Sequence, residues 1–165
     1  MNCLIIFMIC SAQLKESDVL EKITIYADGG CRGNGSTINI GGYGAILSYK
    51  GHTKEIYGGE KNTTNNQMEL KACIEGLRAI TNKTYPTELY MDSQYVISGM
   101  NSWVNGWIKK KWKGVKNVEL WKELYSLAQE FTDLTFLKVE GHCGVDGNER
   151  ADALANKAMD IEERK

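Results

Sequence analysis

The stretch Ile23-Thr24-Ile25-Tyr26-Ala27-Asp28-Gly29-Gly30 decides how the rest of the chain reads. Its apolar residues Ile23, Ile25 and Ala27 recur at every second position, the period of a strand with one buried face. Thr24, Tyr26 and Asp28 fall on the other face. The Gly29-Gly30 pair is expected to stop the strand, and Gly33-Asn34-Gly35 to form a loop. Gly42 to Tyr49 and Thr53 to Gly58 read as two further strands around the turn Lys50-Gly51-His52. Consecutive strands with short turns form an antiparallel meander.

The period changes at Thr63-Thr64-Asn65-Asn66, which are good helix N-cap types. Met68, Cys73, Leu77 and Ile80 then recur at helical spacing. Glu69 shares a face with the small residues Ala72, Cys73 and Gly76, so this helix can lie close to a sheet and carry a first-turn glutamate toward the strand ends. Taken alone, however, the same glutamate reads better as a solvated acid favoured by the helix dipole, because charged side chains are mostly exposed. After Pro86, Glu88 to Asp92 reads as a strand, and Ser93-Gln94 starts a short helix to Met100. A strand–helix–strand crossover makes this strand parallel to an earlier one in the sheet. Asp28 and Asp92, each at the C-terminal end of its strand, then emerge on one sheet edge, where open α/β sheets place ligands. Val118 to Phe131 reads as a helix, Leu134 to Val139 as a strand and Asn148 to Met159 as a final helix. Gly141 to Gly147, with three glycines, reads as a mobile loop.

Asp28, Glu69 and Asp92 are joined by Asp152, which lies among Ala151, Ala153 and Ala155 on a helix face able to pack close. Carboxylates brought together repel unless they are protonated or bind cations. Oxygen-only ligands suit Mg²⁺ or Mn²⁺ and disfavour zinc. Two such ions roughly 3.5–4 Å apart would activate a water and stabilise the leaving oxygen of a phosphodiester. On the substrate side, Trp103, Trp107, Trp112 and Trp121 interleave with Lys109, Lys110, Lys111, Lys113 and Lys116, with no acid between Lys109 and Lys116. Ammonium groups suit phosphates and indoles suit sugars or bases. Against that, the tryptophans could be core and the lysines a solvated face. Trp121, in a regular helix, reads as core, and Trp103 and Trp107 are balanced between packing and substrate contact.

The 165 residues fit one ordinary domain, with 42% hydrophobic and 25% charged residues. A net charge of −1 excludes a protein that coats nucleic acid through bulk charge, so a polyanion must meet a local basic patch. The five cysteines include no CxxC pair, which points to free thiols in a reducing compartment rather than a disulfide scaffold. No run reaches the roughly 20 apolar residues of a membrane span. Cys3 to Cys10 could be the core of a signal peptide, but no Lys or Arg precedes it and Ser11-Ala12 is a weak cleavage site. A loose or weakly docked tail is the preferred reading. The expected division is a tail over 1–21, a catalytic domain over 22–160 and a short tail over 161–165.

From about Lys22 to Met159 the chain resembles type 1 ribonuclease H. The stretches that carry the resemblance are Tyr26-Ala27-Asp28-Gly29-Gly30-Cys31, Gly41-Gly42-Tyr43-Gly44-Ala45 and Thr63-Thr64-Asn65-Asn66-Gln67-Met68-Glu69-Leu70. They are followed by Met91-Asp92-Ser93-Gln94-Tyr95-Val96, the Trp/Lys segment, Gly141-His142-Cys143-Gly144 and Asn148-Glu149-Arg150-Ala151-Asp152. The resemblance implies an α/β ribonuclease H-like fold: a five-stranded mixed sheet, three antiparallel strands then parallel ones, flanked by helices. It implies cleavage of the RNA strand of RNA–DNA hybrids by two Mg²⁺ ions, with Mn²⁺ able to substitute, leaving 3′-hydroxyl and 5′-phosphate ends.

By position in those motifs, Asp28, Glu69, Asp92 and Asp152 are the metal-binding acids, and His142 is the histidine that assists proton transfer or product departure. His52 has no such support and reads as a solvated turn residue. Asn34, Asn65, Asn66 and Gln94 are expected to touch the hybrid, through amides able to meet 2′-hydroxyls and base edges. Thr64 and Asn117 resemble a pocket for a DNA phosphate, Trp103 and Trp107 a channel for the deoxyribose strand, and Lys109, Lys110 and Lys111 phosphate contacts. The loop Gly35 to Ile40 is longer than the family pattern and the basic segment after Trp112 shorter. Asn62 replaces a basic residue, for which Lys61 could compensate, and Phe136 and Lys138 stand where aromatics are common. A monomeric intracellular enzyme, cytoplasmic or in another reducing compartment, is expected. The alternative is a non-catalytic hybrid-binding protein of the same fold.

Overall fold

The computed structural model describes residues 21–140 and 146–165. Five strands form one sheet in the order β3-β2-β1-β4-β5. The strand β1 (Ile23–Arg32) pairs antiparallel with β2 (Ile40–Tyr49), which pairs antiparallel with β3 (His52–Lys61). The strand β4 (Thr87–Met91) runs parallel to β1, and β5 (Leu134–Lys138) runs parallel to β4. The meander, the crossover and the mixed sheet follow the sequence pattern.

Two turn signals read differently in three dimensions. Gly29-Gly30 does not stop β1, because the ladder with β2 continues to Arg32 opposite Ile40. The glycine is there for space: a Cβ on Gly29 would stand 2.3 Å from the backbone nitrogen of Glu69. The β2–β3 turn is Lys50-Gly51 alone. Both residues have positive φ, 50° and 77°, as a two-residue hairpin turn matched to strand twist requires. His52 is therefore the first residue of β3, opposite Tyr49, and not part of the turn.

The helix α1 (Asn65–Arg78) lies on one sheet face and is capped by Thr64, whose side chain accepts from the Gln67 N–H. It is joined there by α4 (Val118–Ala128). Ile25, Leu70, Leu77, Leu89, Trp121 and Leu124, each fully buried, form the core between them. Burying such side chains stabilises by ~1.5–3 kcal/mol each. The short helix after Ser93 is α2 (Gln94–Ser98). It does not end at Met100 but continues through a turn of π-helix, Gly99–Trp103, into α3 (Val104–Lys109).

The opposite face is covered by α5 (Asp146–Glu163), longer at both ends than its apolar pattern. Asp146 and Gly147, read as loop, are its first turn. It sits against a stripe of glycines. A Cβ on Gly42 would stand 2.2 Å from the Ala155 carbonyl oxygen, and one on Gly44 2.4 Å from that of Ala151. Gly44→Val is therefore expected to lower stability by ~1–3 kcal/mol through overpacking, visible as a fall of roughly 2–4 °C per kcal/mol in a thermal melt.

Candidate active site

Parallel pairing of β1 and β4 runs in register from Ile23 opposite Thr87 to Tyr26 opposite Tyr90. Two residues further on, Asp28 and Asp92 stand level, where β4 has ended and β1 pairs only with β2. Asp28 is thus inside its strand, at the point where the sheet splits, and not at the strand's end as the sequence pattern suggested. Glu69 is the fifth residue of α1, just past the first turn, and the missing side chain of Gly29 lets that turn settle onto the sheet edge. Carboxylate oxygens of Asp28, Glu69 and Asp92 all lie within 4.8 Å of one another. Glu69 is 6% exposed, which decides between the two readings of this residue: it is not a solvated helix-start acid.

Asp152 comes in from α5 on the other face. It is near enough to Asp28 for its charge to raise that acid's proton affinity, and its Oδ1 accepts from Asn156 Nδ2 at 3.0 Å. All four expected acids are therefore neighbours: three form the tight group and Asp152 is anchored beside it.

The electrostatic cost of this grouping is visible in the proton affinities. Burial, then the charges of Asp92 and Asp152, push Asp28 up to about 7. Burial, then Asp28 and Asp92, push Glu69 up to about 9. Glu69 Oε1 accepts a long 3.4 Å contact from Asn65 Nδ2, and among the described residues the buried Oε2 has no hydrogen-bond partner. A buried carboxylate oxygen without a donor is unfavourable. A divalent cation supplies what the protein does not, and an all-oxygen donor set fits a hard one. Asp28, Glu69, Asp92 and Asp152 are the residues that could hold it.

The residues expected to meet a substrate fall into three groups. Asn34 Oδ1 accepts from the Asn65 N–H at 3.2 Å, linking the loop after β1 to the α1 start, where Thr64 and Asn66 are exposed. Gln94, exposed at the start of α2, is held by Ser98 and Lys138. Asn117 precedes α4 with a positive φ of 55°, and its Nδ2 donates to Tyr95 Oη at 3.3 Å. Trp121 Nε1 donates to the same oxygen at 2.9 Å. Tyr95 is thus an anchor for Asn117 that nothing in its own motif position announces.

The indoles divide. Trp121 is fully buried and Trp103 is 44% exposed. Trp107 bridges them, with ring centroids 5.0 Å from Trp121 and 5.8 Å from Trp103. Packing therefore accounts for the inner edge of Trp107 and not for Trp103. Lys109, Lys110 and Lys111 are exposed. Tyr95, Trp107, Lys110, Lys113 and Lys116 line an open cavity of about 400 Å³. His142 lies outside the described residues, as do Cys143 and the apolar stretch Cys3 to Cys10. Among the described residues no helix is long and apolar enough to cross a membrane.

A family model for RNase H matches residues 20–160. The chain belongs to the RNase H family. A ribonuclease H of Methylobacillus flagellatus is 50% identical to it over 149 residues, covering 87% of this chain and 93% of the relative. The fold is similar to that of LC9-RNase H1, described as a type 1 RNase H with the type 2 active-site motif, with a TM-score of 0.78 and 31% identity over 86% of this chain and 74% of that one. It is also similar to LC11-RNase H1, solved in complex with an RNA/DNA hybrid, with a TM-score of 0.64 and 27% identity over 84% of this chain and 97% of that one. Membership of the RNase H family and the carboxylate cluster together support nuclease chemistry at this sheet edge.

Proposed function

We propose that this protein is an endonuclease that hydrolyses the RNA strand of RNA–DNA hybrids with two Mg²⁺ ions, leaving 5′-phosphate and 3′-hydroxyl ends. The observation that carries the proposal is the convergence of carboxylate oxygens of Asp28, Glu69 and Asp92 to within 4.8 Å of one another. The hybrid as substrate is supported by the similarity to LC11-RNase H1, whose structure holds one. The catalytic domain is assigned to residues 22–160, acting as a monomer in a reducing intracellular compartment.

Asp28, Glu69, Asp92 and Asp152 would hold the cations. Bound there, divalent cations supply Lewis acidity and neutralise the charge that develops on the scissile phosphate. The chain's own residues do the positioning. Asn65 and Asn156 orient the acids Glu69 and Asp152 through hydrogen bonds. Asn34, Asn65, Asn66 and Gln94 offer amides to the minor groove, where only the RNA strand carries a 2′-hydroxyl. Trp103 and Trp107 take the sugars of the DNA strand, while Thr64 and Asn117 take one of its phosphates. Lys109, Lys110 and Lys111 add backbone charge. His142 moves a proton near the leaving group or assists product departure. The non-catalytic alternative would be favoured by loss of an acid, and all four are present.

Matched RNA–DNA, RNA–RNA and DNA–DNA duplexes, incubated with Mg²⁺ or with chelator and resolved on a gel, test the proposal. Cleavage of the RNA strand in the hybrid alone, and only with metal, is expected. Equal cutting of all three, or cutting in chelator, would refute it. Replacing Lys109, Lys110 and Lys111 by Ala should weaken hybrid binding and reduce the slope of log affinity against log salt by about one for each phosphate deprived of its ammonium. Identical slopes for variant and parent would exclude those phosphate interactions.

A further inference from the structure

Lys138 closes β5 at the same sheet edge as the carboxylates, in register with Met91, the residue before Asp92. Phe136, two residues earlier on the same face, is buried. Lys138 therefore continues that line of side chains past the edge of the core and emerges beside the start of α2. There its Nζ donates to Gln94 Oε1 at 2.7 Å, and Gln94 Nε2 donates to Ser98 Oγ at 2.6 Å.

An ammonium carries three donors and no acceptor, so only the carbonyl end of an amide can face it. The lysine thus decides which way the Gln94 amide is turned. Its nitrogen is directed away from the lysine with two hydrogens, one taken by the Ser98 hydroxyl and one remaining. We infer that Lys138 is a positioning residue for substrate recognition, locking Gln94 so that an N–H donor and not a carbonyl meets the hybrid. The groups such a donor recognises are acceptors on the minor-groove base edges and the oxygen of a 2′-hydroxyl. The inference rests on the proposed contact between Gln94 and the hybrid.

Steady-state cleavage of a short hybrid by five variants tests it: Lys138→Met, Lys138→Arg, Lys138→Glu, Gln94→Ala and the double variant Lys138→Met/Gln94→Ala. Lys138→Met is expected to raise KM about fivefold, the weight of one ordinary hydrogen bond, with kcat unchanged. Lys138→Arg keeps the donor and should restore KM. Lys138→Glu offers an acceptor, turns the amide round and should raise KM beyond the methionine variant. In the Gln94→Ala background Lys138→Met should add nothing. A KM increase that persists in that background would overturn the inference, because Lys138 would then act on the hybrid itself. So would an unchanged KM for Lys138→Met beside a raised KM for Gln94→Ala. An unchanged KM for Gln94→Ala alone would remove the contact, and the inference with it.

Discussion

Asp92→Asn is expected to reduce hybrid cleavage by ~10³-fold or more, since metal-assisted charge stabilisation is worth several kcal/mol and each 1.36 kcal/mol is tenfold in rate. The same substitution should leave the fold intact and make the metal-free protein more stable. Asp92 follows the last residue of β4 and is only half-buried, and Asn is almost the same size. Its charge, however, raises the proton affinity of both Asp28 and Glu69. Removing it relieves repulsion that the fold otherwise carries. The measurement is a pair: kcat on a labelled hybrid in Mg²⁺, and a thermal melt in chelator. A variant that cleaves at the parental rate would falsify the assignment of Asp92. One that is inactive and also unfolded would make the collapse of the fold the reason for its inactivity.

The second large effect is a loss of metal-free stability as pH rises. Folding moves Asp28 from 3.8 to about 7 and Glu69 from 4.5 to about 9. Between those values the unfolded chain has released protons that the native state still holds. With fewer protons bound by the unfolded state, stability falls as pH increases. The decline begins near pH 4, is complete for Asp28 near pH 7 and continues for Glu69 to about pH 9. Below pH 4 both states are protonated at these groups, which then contribute no pH dependence. Glu88, whose affinity is lowered by Lys22 and Tyr90, acts in the opposite sense only below the ordinary glutamate range. The clean readout is the melting temperature of Glu69→Gln minus that of the parent, in chelator. It should grow from pH 5 to pH 9 by on the order of 10 °C, since each pH unit in that window is worth about 1.4 kcal/mol and each kcal/mol roughly 2–4 °C for a chain of this size. Excess Mg²⁺, binding the native state alone, should shrink the difference. A difference that is flat with pH would show that Glu69 is not buried among charges.

Much of this site is legible from local pattern. Alternation in Ile23 to Ala27 gives β1, and the crossover after Pro86 makes β4 parallel, so Asp28 and Asp92 must share an edge. What pattern does not reveal is depth. Glu69 reads by preference as a solvated helix-start acid until the missing side chain of Gly29 is seen to admit α1 against the sheet edge. Gly29-Gly30 mislead for the same reason, since a glycine that makes room and a glycine that makes a turn look alike in one dimension. The family match supplies Asn117 and Gln94 by position but not their supports. Tyr95 and Lys138 come from other elements, and only the folded chain brings them to those amides. The length of α5 is also hidden, because its last turn carries Asp160 and Glu163 bonded to Arg32 on β1 and no apolar period.

The most direct test is calorimetric titration of Mg²⁺ into the protein at pH 7 in two buffers of different ionisation enthalpy, which counts protons released on binding. If the four carboxylates are the metal site, binding is saturable and expels about one proton or more, because Glu69 is held protonated at that pH and must ionise to act as a ligand. Asp28→Asn should then abolish the binding heat. Saturable binding that survives in Asp28→Asn, or that releases no proton in the parent, would place the ion elsewhere.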